Sequence, residues 1–577
     1  LSLDALHKVL RFGRTLYSSQ DMQAKLAKLV QLHKELLVED LNQDYTFTLP
    51  VTLDLWRPLG RHSDLWATLA KVAAERADTL PPTTLCKLAG TGTVRTPELL
   101  EVFAESILRT RRIGRFSPEL LGNLTLSLAT ERVIHEPLLD AIAETLIRKL
   151  HIAQSYSLSW IVLGFARLGK RHGPLMQEVG LMVTENIGFF GSDDLGRLAW
   201  SYATLQWVDE AVMGTLAKGA TWVLDKLSPR TQSTLVWSLA KQKLRHDDFL
   251  LRAAESTANN IEHFRTEDVA RTVWGYATLN MMHERMMQAI SRRSIEVADR
   301  FAPRELTQVV WGFATLGYRD APLVEVLAET VPNDIAKFSP QDVSNFVWAL
   351  GTLEIRCPDA LEAMAEYITS RASEFSPQGL SNVVWGYAKL SVRNPEMLGS
   401  IASHAEAKLS TFRPQGLSNL AYAYAILRYR DEQLMEAVGE RAMPILQQFK
   451  PQELGNLIFG LSQQSLLSKR LMEKVVPVAL RKAAELNDAD WATIIAGGLR
   501  CGICSGPLLR ACATTLSLRE GSGDTYRSVS QMVRLQQKLP EQELSSSLRE
   551  KIRVAAEAYG VEEETENEAK KQVATAS

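Results

Sequence analysis

The sequence Phe375-Ser-Pro-Gln-Gly-Leu-Ser-Asn-Val-Val-Trp385 recurs at Phe338-Ser-Pro-Gln-Asp-Val-Ser-Asn-Phe-Val-Trp348 and at Phe412-Arg-Pro-Gln-Gly-Leu-Ser-Asn-Leu-Ala-Tyr422. Each copy starts 37 residues after the previous one. Weaker copies keep the same step, with one further copy at Leu80 after a step of 36; they start at Phe116, Ala153, Phe190, Leu227, Phe264, Phe301, Phe449 and Leu486. Self-similarity at a fixed period of this length is typical of helical repeat arrays.

Each copy carries the signals of a helix start. In the copy at Phe375, Ser376 is a predicted N-cap, and Pro377 follows at the first helical position, where its missing N–H costs nothing. Phe375 and Leu380 flank this start as the two members of a hydrophobic staple. An apolar stripe of helical period follows, formed by Leu380, Val383, Val384, Tyr387 and Ala388. The motif therefore predicts a helix, which we call helix A.

A second helix is predicted in the other half of each unit. After a turn at 391–395, an amphipathic helix B is marked by Met397, Ile401, Ala405 and Leu409. Two helices of this length cannot bury their apolar stripes alone, so each hairpin must stack on its neighbours. The sequence therefore predicts an all-α fold, a right-handed-type α-solenoid of about twelve 37-residue helical hairpins.

The composition suits a long folded array. The chain has 577 residues, 46% of them hydrophobic and 23% charged, and a formal net charge of −2. No overall basic field indicates a nucleic-acid partner, so any such surface must be local. The five cysteines are not spaced as a disulfide framework, which favours a reducing compartment. No apolar run approaches the ~20 residues that span a bilayer, so no membrane partner is expected.

Four segments are expected along the chain. Residues 1–79 fall out of the repeat register and are interpreted as a helical N-terminal cap, and residues 80–522 form the repeat array. A degenerate repeat or C-terminal cap is predicted for 523–560. Residues 561–577 are Glu-rich without an apolar pattern, which predicts an acidic disordered tail.

The segment 375–390, Phe-Ser-Pro-Gln-Gly-Leu-Ser-Asn-Val-Val-Trp-Gly-Tyr-Ala-Lys-Leu, resembles the octotricopeptide and heptatricopeptide repeats of organellar RNA-binding proteins. The resemblance covers roughly residues 80–520 and implies binding of single-stranded RNA, either mRNA or rRNA, in the mitochondrial matrix or alternatively in the chloroplast. It implies a role in RNA processing, stability, translation or ribosome assembly, with ribosomal or other ribonucleoprotein partners. Many such proteins end in a nuclease-like RAP domain, which has no matching segment in 520–577.

One position of helix A is a candidate for reading RNA bases. Positions are counted from the first helical residue, which is Pro in most copies, and +1, +5, +9 and +12 are expected to share one exposed stripe. Position +5 is Trp160 in one copy and otherwise carries a hydrogen-bonding side chain: Lys87, Asn123, Arg197, Thr234, Arg271, Gln308, Asn345, Asn382, Asn419, Asn456 and Thr493. These side chains either hydrogen-bond base edges, one base per hairpin, or link neighbouring helices. Position +9 is small, which predicts that something lies close over it.

A second row lies at +16, in the turn between helices A and B. Its arginines are candidates for contacting phosphates: Arg171, Arg245, Arg319, Arg356, Arg393 and Arg430. The alternative is that each caps helix A or pairs with a nearby acid such as Asp320 or Asp431. A further basic cluster is interpreted as solvated surface and consists of Arg109, Arg111, Arg112 and Arg115.

An aromatic row at +8 is interpreted as packing between repeats. It consists of Trp200, Trp237, Trp274, Trp311, Trp348, Trp385, Tyr422 and Phe459. Since +8 adjoins the apolar stripe, the rings are expected to fill the core rather than to stack on bases.

Catalytic patterns are missing from the sequence. The ten histidines are scattered without metal-ligand spacing, and neither a phosphate-binding loop nor a nucleophile elbow occurs. Cys501-Gly-Ile-Cys504, with Cys512 downstream, lacks a fourth zinc ligand nearby. We therefore expect a binding protein and not an enzyme, with no cofactor, no metal and no small-molecule substrate.

The competing hypothesis is a helical-repeat scaffold whose concave groove takes a protein or peptide partner. The near-neutral charge supports it. A continuous positive strip along the groove would favour RNA, and a mixed or acidic one would favour protein.

Overall fold

The computed structural model describes residues 70–71, 73–90, 95–503, 506–516, 523–538, 546–558 and 561. Within these ranges the regular secondary structure is helical and no β-strand occurs. Apart from 70–71, 73–79 and 561, the predicted N-terminal cap and acidic tail lie outside the described residues. The chain divides into two compact units, Leu1–Ala289 (unit 1) and Ile290–Ser577 (unit 2).

Unit 1 is built of hairpins in which a helix A is followed by a helix B. Its A helices are α1 (Pro82–Gly90), α3 (Pro118–Thr130), α5 (Ser155–Leu168), α7 (Ser192–Thr204), α9 (Pro229–Gln242) and α11 (Thr266–Thr278). The B helices are α2 (Pro97–Arg109), α4 (Glu136–Arg148), α6 (Gly173–Glu185), α8 (Glu210–Trp222), α10 (Asp247–Asn260) and α12 (Glu284–Glu296), in which the division falls.

Unit 2 repeats the same plan. Its A helices are α13 (Pro303–Thr315), α16 (Pro340–Leu353), α18 (Pro377–Lys389), α20 (Pro414–Ile426), α22 (Pro451–Gln463), α24 (Asp488–Arg500) and α26 (Gly523–Lys538). The B helices are α14 (Ala321–Glu329) with the short α15 (Val331–Asp334), then α17 (Pro358–Arg371), α19 (Pro395–Lys408), α21 (Glu432–Ala442), α23 (Lys469–Arg481), α25 (Gly506–Leu516) and α27 (Ser546–Ala558).

The helices of each unit form two layers. Each A helix packs on the next A helix of its unit, as α18 does between α16 and α20. Most B helices likewise pack on the next B helix, as α19 does between α17 and α21. The apolar stripe predicted for helix A is buried in α18. The all-α solenoid is therefore confirmed, with twelve hairpins described between Pro82 and Leu516. Its right-handed sense stays a prediction.

The predicted helix start is present in atomic detail. Pro377 is the first residue of α18, and the Ser376 hydroxyl accepts a hydrogen bond from the Gly379 N–H at 3.1 Å. Phe375 and Leu380, the predicted staple, are 1% and 0% exposed. The local signals in the motif therefore fix where helix A begins.

The turn after helix A repeats in the backbone as well. Position +14 has a positive φ in eleven successive repeats, at Arg132, Gly169, Gln206, Lys243, Asn280, Gly317, Glu354, Ser391, Arg428, Ser465 and Gly502. A left-handed residue at this place ends a helix because its N–H turns back to the last carbonyls. The 37-residue register therefore holds in the backbone from 132 to 502 without a slip.

Buried tyrosines at +10 join four of the A helices to the preceding hairpin. The Tyr387 hydroxyl donates a hydrogen bond to the backbone carbonyl of Leu361 at 2.5 Å, and Tyr424 bonds to Leu398 in the same way at 2.7 Å. Tyr202 and Tyr276 repeat the contact in unit 1. Burial raises the pKa of the Tyr387 hydroxyl far above its ordinary value, so it remains a neutral donor.

We expect Tyr387→Phe to destabilise unit 2 by about 1 kcal/mol, the usual net value of one buried hydrogen bond. The ring should still fit, because Phe313 occupies the same position in another repeat. The matched control is Tyr422→Phe, whose hydroxyl has no hydrogen bond with the described residues. Thermal unfolding of both variants is the measurement, and equal melting temperatures would contradict the role given to the +10 hydroxyl.

Candidate functional site

Position +9 lies between adjacent A helices, so the predicted exposed stripe is wrong at this position. An added Cβ on Gly386 would come within 2.6 Å of the Val347 carbonyl oxygen in the preceding A helix, and one on Gly460 within 2.3 Å of the Ala421 backbone. Four other residues at +9 are 0% exposed or nearly so: Ser201, Ser238, Ala349 and Ala423. What lies close over +9 is therefore the neighbouring helix, and the small side chain allows this approach.

The aromatic row at +8, and not position +9, lies on the exposed stripe of helix A. All eight rings, from Trp200 to Phe459, are half-buried rather than buried. The expectation that they fill the core is wrong, because +8 follows +1 and +5 at helical spacing and continues their exposed stripe. The face of each A helix that is open to a ligand therefore consists of +1, +5, +8 and +12.

Rings at +8 contact their counterparts in adjacent repeats. Trp348 and Trp385 lie 6.4 Å apart between ring centroids with an interplanar angle of 25°, and Tyr422 and Phe459 lie 5.6 Å apart. In unit 1 the Trp237 ring is 6.2 Å from that of Trp274. These six rings thus contact a neighbouring ring and leave part of their surface accessible to solvent. The inter-repeat contact was expected, and the exposure was not.

Four asparagines occupy +5 in consecutive repeats of unit 2: Asn345, Asn382, Asn419 and Asn456. All four are half-buried. None of their side-chain amides hydrogen-bonds to any part of the chain that the structure describes, and the same is true of Gln308. No bond of the kind that would link neighbouring helices is therefore formed by these amides.

A row of glutamines at +1 was missed by the sequence reasoning. Gln341, Gln378, Gln415 and Gln452 are exposed on the same four A helices. The signal was available, because a Pro-Gln dipeptide opens each of these helices. We call the four glutamines and the four asparagines together the amide face. Since Lys389 at +12 is the single charged residue at +1, +5, +8 or +12 of these four helices, the amide face is neither a positive strip nor an acidic one.

Position +5 has a different environment in unit 1. Arg197 pairs with Asp194 at 3.0 Å and with Asp193 at 3.4 Å. Arg271 pairs with Glu267 and donates a hydrogen bond to the Thr234 hydroxyl at 3.5 Å. Asn123 and Trp160 are half-buried on α3 and α5, and Lys87 is exposed on α1.

Thr493, the last member of the +5 row, lies on α24 of unit 2. Its hydroxyl donates to the Ala489 carbonyl of its own helix at 2.9 Å. Among the described residues at +5, side-chain amides without an intramolecular hydrogen bond thus lie on α13, α16, α18, α20 and α22, and on α3 at Asn123.

The turn arginines are all exposed, and their partners differ. Arg245 pairs with Asp247 at 2.5 Å and Arg430 with Glu432 at 2.7 Å, while the Arg319 guanidinium donates to the Leu353 carbonyl at the end of the next helix A at 3.1 Å. Arg171, Arg356 and Arg393 form neither an ion pair nor a side-chain hydrogen bond with the described residues. The row therefore contains three arginines with structural contacts and three that are available to a ligand.

Asp320 and Asp431 do not pair with the turn arginines. Their carboxylates accept the backbone N–H groups of Leu323 and Leu434 and so cap helices α14 and α21.

The basic cluster at 109–115 is not uniformly solvated. Arg112 is 9% exposed and donates to the carbonyls of Leu80 and Ala77 at 2.7 and 2.6 Å. The interpretation as solvated surface is wrong for this residue, which ties the end of the first hairpin to the segment that precedes α1. Arg109 is exposed and pairs with Asp78 at 2.6 Å.

Of the four cysteines that the structure describes, Cys86, Cys357 and Cys512 are buried and Cys501 is half-buried. Burial raises the pKa of Cys86 to about 12 and that of Cys357 to about 11. Cys504, half of the Cys501–Cys504 motif, lies outside the described residues. Elsewhere in the described part of the chain, no three His, Cys, Asp or Glu residues are close enough to hold a metal ion. Among the same residues, no helix is both long and apolar enough to cross a membrane.

The fold and the repeated open face define the chain as a helical-repeat binding protein. Two overlapping stretches, 180–406 and 231–469, match the model of the family described as RNA-editing substrate-binding complex 6 protein. Together they cover just over half of the chain, so the chain belongs to this family, and they include the whole amide face. No curated protein matches the sequence significantly. That its repeats are octotricopeptide or heptatricopeptide repeats in particular stays a prediction.

Among three-dimensional structures, the likeness is distant. A homology model of the AP-3 complex in an intermediate open conformation has 10% identity and a TM-score of 0.32 over 97% of this chain and 100% of that chain. The pentatricopeptide repeat protein PPR10 with an 18-nucleotide psaJ RNA element has 12% identity and a TM-score of 0.27 over 97% and 94%. The karyopherin Kap121p bound to the SUMO protease Ulp1p has 11% identity and a TM-score of 0.27 over 93% and 57%. TM-scores of this size carry no functional argument.

Proposed function

We propose that the amide face of unit 2 binds single-stranded RNA, with one base for each helical hairpin. The observation that carries this proposal is the row of asparagine amides at +5, which are half-buried and have no hydrogen-bond partner among the described residues. An amide has a donor and an acceptor side by side, so it can pair with the edge of a base. In the free chain water can satisfy these half-exposed groups, and a base edge can replace that water.

The neighbouring rows suit the same ligand. Half-exposed rings at +8 give each base an apolar surface on which to stack, whatever its sequence. Phosphates would be contacted by the turn arginines with free guanidinium groups in unit 2, Arg356 and Arg393. Because the amide face itself is almost uncharged, stacking and base pairing would supply more of the affinity there than ion pairing.

The wider role follows from the family and from the resemblance of the repeat motif. The family's description names an RNA-editing substrate-binding complex, and the motif resembles repeats of organellar RNA-binding proteins. The proposed role is therefore binding of an mRNA or rRNA in the mitochondrial matrix, or alternatively in a chloroplast. There the protein would support RNA processing, stability, translation or ribosome assembly by binding alone, together with other ribonucleoprotein components.

A second candidate is a scaffold that binds an extended peptide. The observation in its favour is that four successive repeats present the same pair of side chains, Gln at +1 and Asn at +5. A peptide backbone likewise presents the same N–H and C=O groups at every residue. Under the RNA proposal, the same uniformity requires a tract of chemically alike bases. Selection of strands from a random RNA pool tests this directly.

We expect Asn382→Arg to change the base preference at one nucleotide and to leave its neighbours unchanged. The chain already uses Arg at +5, in Arg197 and Arg271, so the fold tolerates it. A side chain paired with a base edge discriminates by ~1–3 kcal/mol in duplex DNA, and we expect a similar size. The measurement is the position-specific preference in RNA selected by the wild-type chain and by the variant.

The matched control is Ser403→Arg, which adds the same charge on helix B of the same hairpin, where Ser403 is exposed. It should leave the preference at every nucleotide unchanged. If Asn382→Arg instead lowers the melting temperature and leaves the preference intact, Asn382 is a structural residue. If the wild-type chain selects no RNA and binds extended peptides, the scaffold is the correct function.

A further inference from the structure

The open face of unit 1 contains a cavity lined by charged residues, whereas the amide face of unit 2 consists of uncharged side chains. It has a volume of about 400 Å³, within the range of small-ligand sites. Four arginines from consecutive A helices line it: Arg167 on α5, Arg197 on α7, Arg230 on α9 and Arg271 on α11. The half-buried Trp200 forms part of the wall.

The four guanidinium groups are not equivalent. Arg197 and Arg271 are held by Asp193, Asp194 and Glu267. By contrast, Arg167 and Arg230 are exposed and pair with no carboxylate in the described structure. Four guanidinium groups against three carboxylates leave one net positive charge, and Arg167 and Arg230 are the two guanidinium groups without a carboxylate partner.

The first turn of α9 adds to this positive charge. Ser228 caps the helix by accepting the Thr231 N–H at 3.1 Å, and both residues line the cavity. A helix N-terminus carries a partial positive charge that favours an anion. The cavity therefore combines two free guanidinium groups, a helix N-terminus and an indole ring.

Resting on the proposed RNA binding, we infer that this cavity binds a terminal phosphate of the RNA strand, with the terminal base against Trp200. A terminal phosphomonoester carries about −1.5 to −2 charges at neutral pH. Arg167 and Arg230 are both free to donate to the three unbridged oxygens of such a group, whereas an internal phosphodiester offers only two. The adjacent ring can stack on the base, as aromatic residues do in other proteins that bind single strands. The 5′ and 3′ phosphates share this chemistry, and the experiment separates them.

The test compares three short single-stranded RNAs of one sequence, with a 5′-monophosphate, with a 3′-monophosphate or with neither, binding to the full chain. We expect one phosphorylated strand to bind at least about tenfold more tightly, the scale of one charge-assisted hydrogen bond. The double variant Arg167→Ala/Arg230→Ala should lose this preference and keep its affinity for the unphosphorylated strand. The control is Arg252→Ala/Arg285→Ala, which removes the same charge from helices α10 and α12 outside the cavity and should keep the preference.

Three results would overturn the inference: no preference in the wild-type chain, a preference that survives in the double variant, or an equal loss for all three strands, which would place an internal phosphodiester in the cavity. Calorimetric titration with adenosine 5′-monophosphate and with adenosine keeps the inference separate from the proposed function. Binding of the nucleotide alone, lost in the double variant, supports the cavity even if the chain binds no RNA strand. If the nucleotide and all three strands fail to bind, both proposals are wrong.

Discussion

Replacing Trp348, Trp385, Tyr422 and Phe459 together by alanine should weaken binding of single-stranded RNA by at least about 100-fold, since stacking on one aromatic side chain is worth ~1–3 kcal/mol per base. The loss should be similar for every RNA sequence, because any base has a flat face to stack on. The measurement is the dissociation constant of the full chain for several RNA sequences, together with the melting temperature.

The controls separate stacking from packing. Leucine at the same four positions keeps apolar contact between repeats and removes the aromatic face, so the fold should survive while affinity stays low. Trp222→Ala removes an indole that is 71% exposed at the end of helix α8, away from the open face, and should leave affinity unchanged. If the leucine variant binds RNA as well as the wild-type chain does, the rings serve only the contact between repeats.

Gly460→Val should destabilise unit 2 by about 3 kcal/mol, at the upper end of the usual cost of overpacking. The reason is geometric: the new Cβ would lie 2.3 Å from the backbone of Ala421, which cannot move without displacing helix α20. For a unit of this size the melting temperature should fall by roughly 6–12 °C.

The matched control is Gly214→Val in helix α8, where an added Cβ meets no atom within 4 Å. It should change stability by less than about 0.5 kcal/mol, because valine is only a slightly better helix former than glycine. Equal melting temperatures for the two variants would mean that adjacent A helices are free to separate at +9.

The sequence was sufficient to predict the repeat and its hairpins. Ser376, Pro377 and the staple around them are local signals, and they act over distances shorter than one turn of helix. Register was equally visible, since nothing is inserted between the copy at Phe116 and the copy at Leu486. These features depend on backbone propensity and capping, which sequence reasoning treats well.

The orientation of helix A was harder to predict. Positions +8 and +9 are 100° apart on a helix, and the sequence does not state from which side the next helix approaches. The structure places Gly386 against Val347 and leaves Trp385 at the open face. The small residues at +9 indicate that the neighbouring helix packs closely there. The aromatic residues at +8 were predicted to be buried instead, because large rings usually are.

Four of the ten histidines, described above as scattered, occupy the same position in their repeats. His135, His172, His246 and His283 each accept a backbone N–H at Nδ1 and cap a helix B. The same position is Asp209, Asp320 or Asp431 in other repeats. Aspartate is a familiar cap and histidine is not, so the shared position was not recognised.

The short reach of the inter-repeat contacts has a consequence for how the chain folds. Among the hydrogen bonds described, the one with the greatest sequence separation joins the Ser528 hydroxyl to the Asp488 carbonyl, 40 residues away. Hydrogen bonds between described residues thus span little more than one 37-residue period, so contact order in this part of the chain is low. Chains with such local contacts fold quickly because little loop-closure entropy is lost before the contacts form. During synthesis, each hairpin can dock on the previous one as it leaves the ribosome, long before the last repeat has been translated.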